Sequence, residues 1–123
     1  MRAILIDPFA RTITEVEHNG DYREIYKLLS HETMPVDCFD CVRLDDGDAI
    51  YVDDEGLLKP CKAFFVLHTP HGMNGPYAGK GLVLGSDDEG ESASAKMPLS
   101  KLQDAIQFVS RDQLNPSWLA QFQ

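Results

Sequence analysis

The apolar residues of this chain fall into short runs, most of them strand-like, and in two places they repeat at the spacing of a helix. Arg2 to Ile6 predicts a first strand, ended by Asp7-Pro8 because Pro8 has no amide to offer a ladder. Arg11 to Glu17 predicts a second, carried by the β-branched residues Thr12, Ile13, Thr14 and Val16, with Ile13 and Val16 on opposite faces. Beyond Gly20, Asp21 and Glu24 have capping-box spacing, and Tyr22, Ile25, Tyr26 and Leu29 follow at i, i+3, i+4 and i+7, one face of a helix. Phe39 to Leu44 and Ala49 to Val52 flank Asp45-Asp46-Gly47-Asp48, a hairpin signal. Ala63 to Leu67 is a continuous apolar run and predicts a strand buried on both faces, and Gly81 to Leu84 predicts another strand. Leu99, Leu102 and Ile106 form the stripe of a second helix over Pro98 to Ile106, which Gln107 to Ser110 either continues or leaves as an edge strand.

Between these runs lie a loop from His31 to Asp37 and a small-residue linker from Gly90 to Lys96. Thr69 to Gly81 carries two prolines and four glycines and predicts a long loop, of the kind that is often functional. Asn115-Pro116 predicts a short helix from Pro116 to Phe122, in a tail over 111–123. The expected fold is a single α+β domain over 1–110, with a mixed or mostly antiparallel sheet of about six strands and two main helices. Asp53-Asp54-Glu55-Gly56 and Asp87-Asp88-Glu89-Gly90 each follow an apolar strand, so they read as two matching corners of one sheet.

Charge narrows the function. Against 11 basic residues stand 20 acidic ones, a formal net charge of −9, which argues against direct nucleic-acid or anionic-membrane binding and suits solubility or a basic partner. No run approaches a membrane span, and the early apolar run Ala3 to Ile6 is too short for a signal peptide, so a cytosolic location is expected. An odd number of cysteines, three, makes no disulfide framework.

The segments Met1 to Phe9, Gly20-Asp21-Tyr22, Gly47 to Leu57 and Ala78 to Glu91 together resemble a small family of short acidic proteins encoded by phages, plasmids and integrated elements, a domain of unknown function. The resemblance covers most of 1–109 and departs in the His68 to Pro76 loop and the tail after Ser110. It implies an accessory protein of a mobile element and supplies no reaction, ligand or catalytic residue. Small acidic proteins of such elements often counter host defence, an analogy rather than site chemistry.

Gly75 to Gly81 has the wrong spacing for a phosphate-binding P-loop, and a strand rather than a helix follows it. A smaller anion cradle is the candidate that survives: Lys80 with the amides of Gly79 and Gly81, Tyr77 to stack a base, and His68 and His71 to donate to phosphate. It requires the strands ending at His68 and starting at Gly81 to be neighbours. Cys38, Cys41, Cys61, His68 and His71 could form a zinc set, but residues three apart in a strand point to opposite faces unless the strand starts after Cys38. The cysteines are therefore read as small buried hydrophobes, with no metal and no cofactor expected. Asp53, Asp54, Glu55, Asp87, Asp88 and Glu89 are read as exposed acidic surface. No hydrolase elbow or metalloprotease motif is present and no catalytic residue is assigned. Three readings stand in order: a non-enzymatic module binding a small nucleotide-type anion, an acidic inhibitor or nucleic-acid mimic acting on a basic host protein, and a structural or regulatory interaction domain, with a homo-oligomer compatible with each.

Overall fold

A computed structural model describes residues 1–44 and 47–113. Strands β1 (Arg2–Asp7), β2 (Thr12–Glu17), β3 (Phe39–Arg43), β4 (Ala49–Asp53), β7 (Gly81–Ser86) and β8 (Ser92–Ala93) form a six-stranded sheet of order β2-β1-β7-β4-β3, with β8 paired to the end of β7. Strands β5 (Ala63–Thr69), β6 (Gly72–Ala78) and β9 (Ile106–Ser110) form a second sheet, ordered β6-β5-β9. The pairings are antiparallel throughout. With helices α1 (Tyr22–Leu29) and α2 (Leu99–Ala105), this is a single α+β domain. No helix among the described residues is long and apolar enough to cross a membrane.

The strand runs bury both faces of the larger sheet. Ala3, Leu82 and Leu84 pack against Ile25 and Leu29 of α1, while Ile4, Ile6, Ile50 and Val83 face Phe65, Leu67 and Leu102 of the second sheet and α2. The far side of the second sheet holds Phe64, Val66 and Val109 with Met34 and Cys61. Alternate residues of one strand thus serve different layers, which explains the unbroken apolar runs of β5 and β7.

Helix α1 starts where expected, but its capping box is not closed. Asp21 Oδ1 accepts the Arg23 amide at 2.9 Å, while the Asp21 amide itself donates to Asn19 Oδ1 at 2.8 Å. Helix α2 ends at Ala105, and Ile106 begins β9, so the edge-strand alternative for Gln107 to Ser110 is the one adopted. The linker contributes β8. The expected helix over Pro116 to Phe122 lies outside the described residues.

Two expectations are overturned. The Thr69 to Gly81 loop is largely a strand, β6, which forms a hairpin with β5. Pro70 sits in the connecting turn. Pro76 is tolerated because β6 is an edge, and the register shifts between Phe65 and Leu67 beside it. The two acidic turns are also not matching corners. Neighbouring β4 and β7 run antiparallel, with Val52 opposite Gly81 and Ala49 opposite Leu84. Asp53 and Asp87 therefore lie at opposite ends of the sheet, roughly 20 Å apart along the strands.

Candidate functional site

Because β5 and β7 belong to different sheets, the premise of the anion cradle fails. His68 pairs with Met73 near the hairpin turn, whereas the Gly79 amide donates to the Ala63 carbonyl at 3.0 Å. Five residues of strand, about 17 Å, thus separate the histidines from the Gly79-Lys80-Gly81 segment. His68 Nε2 bonds Gln107 Oε1 at 2.9 Å and lines a small cavity with Lys101, while His71 lines an adjoining one with Arg43.

The Gly-Lys-Gly segment is structural. Gly79, at φ +80°, turns the chain from β6 into β7. Gly81 lies against Phe65, where an added Cβ would stand 2.7 Å from the ring. The Lys80 ammonium donates to the Ser30 carbonyl at the C-terminus of α1 (3.2 Å) and stands 4.0 Å from Asp7, with both side chains mostly buried. It closes the helix end electrostatically. Lys80→Ala is therefore expected to lower stability by about 1–2 kcal/mol in urea unfolding. An unchanged midpoint would show that this cation serves something other than the fold.

Tyr77 lines a different concavity from the two histidines. A groove of about 300 Å³ lies between the edge strand β3, with β4 beneath it, and the edge strand β6. Val42, Val52, Leu57 and Pro76 make its walls apolar, and Asp40, Asp53, Asp54 and Tyr77 make it polar. The Tyr77 ring rests on buried Phe65 at a centroid distance of 5.3 Å. Burial first, and then the Asp40 charge, push its phenol above the ordinary tyrosine range.

The carboxylates play different parts. Asp53, expected as surface, is buried; its Oδ2 meets Lys59 Nζ at 2.6 Å and its Oδ1 accepts the Glu55 amide. Lys59 also donates to the Pro35 carbonyl, so this pair fixes the 3-10 turn Gly56–Leu58 onto the sheet end. Asp54 and Glu55 are exposed, as are Asp87, Asp88 and Glu89. Asp87 Oδ1 accepts the amides of Glu89 and Glu91, closing its own turn. Asp40 is exposed on β3, and its Oδ1 accepts the Cys41 amide at 2.8 Å. Leu58 stands on the rim, 87% exposed.

Of the cysteines only Cys61 is buried; Cys38 and Cys41 are exposed, contrary to expectation, because Cys41 lies on the edge strand β3, which has a neighbour on one side only, and Cys38 precedes that strand. Strand β3 starts at Phe39, so strand parity does not separate these two thiols. Among the described residues no group of three or more His, Cys, Asp or Glu side chains is placed to hold a metal ion.

Sequence reading missed Asp40, Val42, Leu57 and Leu58 as groove residues. Leu57-Leu58, an apolar pair outside any periodic element, is a local signal for those two residues alone; nothing in the sequence joins them to Asp40 and Val42.

No curated protein and no solved structure matches this chain. Residues 1–107 match a family described as a domain of unknown function. The groove is built wholly from residues within that span, so it is a feature of the domain proper, and the chain belongs to the DUF3846 family.

Proposed function

We propose that this chain is a non-enzymatic binding module that engages a basic surface of a host protein through the groove between β3 and β6. The observation that carries this reading is Leu58, 87% exposed on the rim of a groove that also bears Asp40 and Asp54. A large apolar side chain held in water beside carboxylates is what a partner contact uses: apolar burial supplies affinity and the charges select and steer a positive surface. The net charge of −9 extends the same field over the molecule. A nucleotide-type anion fits this groove poorly, because the charged groups around Tyr77 would repel phosphate. Its described lining residues include no histidine or cysteine, which supports binding over nucleophilic chemistry.

The resemblance to proteins of phages and plasmids supports reading the chain as an accessory of a mobile element and its partner as a host protein in the cytosol. A face that binds nucleic acid already presents lysine and arginine, and occupying it would inhibit its owner, a counter-defence role.

Host extract passed over immobilised protein tests this, with an Asp40→Asn/Asp54→Asn variant in parallel. The screening length falls from about 10 Å at 0.1 M salt to about 3 Å at 1 M, so a groove-bound basic protein should be held at the lower salt and released at the higher. The variant should capture several-fold less. A partner retained equally by both proteins and at both salts would refute the reading.

A further inference from the structure

Resting on that reading, we propose that the groove is an arginine receptor: a single guanidinium of the partner stacks on Tyr77 and is held by Asp40 and Asp54. Four features of the groove lead there.

A partner strand cannot readily add to the two edges that flank the groove. Leu44 donates to the Asp48 carbonyl and Asp54 to the Cys38 carbonyl, so along β3 the alternate residues Phe39, Cys41 and Arg43 turn their backbone groups to the open edge. The middle amide of that row, from Cys41, is already taken by Asp40 Oδ1. On β6, Pro76 has no amide at all. The partner must therefore enter by a side chain.

Apolar walls stand beside the carboxylates. Val42, Val52, Leu57 and Pro76 line the same groove as Asp40 and Asp54. A guanidinium is less strongly hydrated than an ammonium and lies beside such walls at lower cost, and its stem packs along them.

The half-buried Tyr77 ring is braced from below by Phe65. Planar guanidinium stacks on such a ring, whereas a compact ammonium makes a point contact.

Finally, the acceptors suit a fork. Asp40 commits Oδ1 to the Cys41 amide and leaves Oδ2 for a ligand, and exposed Asp54 stands on the same groove. The buried carboxylate, Asp53, is already neutralised by Lys59 at 2.6 Å, so Asp40 and Asp54 are the two carboxylates left to meet an added positive charge. Five N–H donors in one plane can reach two carboxylates while lying flat on a ring; three donors on a tetrahedral ammonium cannot.

The test is an amide-resolved NMR titration of the whole chain with N-acetyl-arginine methylamide and, separately, N-acetyl-lysine methylamide. The arginine compound should shift the amides of Val42, Asp54, Leu58 and Tyr77, with an affinity at least fivefold above that of the lysine compound. Tyr77→Leu should erase that preference, and Tyr77→Phe, which keeps the ring, should preserve it. Asp40→Asn, an exposed position, should weaken arginine several-fold without unfolding the protein. Equal shifts from both compounds would overturn the arginine assignment while leaving a general basic partner in place. If neither compound perturbs the groove, the receptor is excluded, and the salt-sensitive capture of a basic protein then decides the broader reading separately.

Discussion

Phe65→Ala will cost this domain roughly 3–5 kcal/mol of unfolding free energy, the range for removing a fully buried aromatic side chain from a core that cannot collapse around the void. Phe65 is 0% exposed and belongs to the core cluster where the two sheets meet, with Ile4, Ile50, Val83 and Leu102. Its ring also fills the space above Gly81, whose hydrogen stands where a Cβ would be 2.7 Å from the ring and 3.2 Å from Ile50. That contact makes the effect diagnosable. Gly81→Ala alone should destabilise by overpacking, and Gly81→Ala combined with Phe65→Leu should lose less than the sum of the two single changes. Strict additivity in urea melts would show that the two positions do not share this space. The loss has a functional side as well, because Tyr77 rests on Phe65. A protein that survives Phe65→Ala should still bind its partner less tightly, since an unbraced ring no longer presents a fixed face.

Gly85→Ala is the second large effect, expected at or above the upper end of the ~1–3 kcal/mol that overpacking usually costs. A methyl group there would overlap the backbone carbonyl oxygen of Ser94 and approach Asp48 Oδ1 to 3.2 Å. Neither neighbour can withdraw. The segment after β8 is clasped from two directions: Arg2 Nη1 donates to the carbonyls of Ala95 and Met97 at 2.8 and 2.9 Å, and the buried Asp48 carboxylate accepts the amides of Lys96 and Met97. The Arg2 carbonyl accepts the Ala95 amide as well. Thermal unfolding of Gly85→Ala should fall well below that of Gly90→Ala, where an added Cβ meets nothing within 4 Å and only the positive φ of +81° is strained. Equal melting points for the two variants would mean that the clasp yields.

Local sequence determined most of the elements of this fold. Apolar runs placed β1, β4, β5 and β7 to within a residue or two, because a strand buried on both faces must be largely apolar whatever it packs against, and β-branched residues placed the exposed edge strand β2. Helix spacing located α1 and α2, since the face of a short helix is set by its own periodicity. The Asp-Gly turn implied the β3–β4 hairpin, a contact between neighbours in sequence. What local sequence could not supply was which strands are neighbours. Strand β7 inserts between β1 and β4, and β5 goes to a different sheet, pairings that depend on the total apolar surface to be covered and not on any nearby residue. That assignment separated His68 and His71 from Lys80, turned Lys80 into a clamp on α1, sent the two acidic turns to opposite ends, and drew Asp53 inside against Lys59. Strand β6 was hidden for a related reason: glycines and prolines oppose a central strand but are admissible on an edge, and only the tertiary structure decides which strands are edges. The groove itself is the gap between two such edges, β3 and β6, contributed by residues far apart in the chain, so no spacing along the sequence could have announced it.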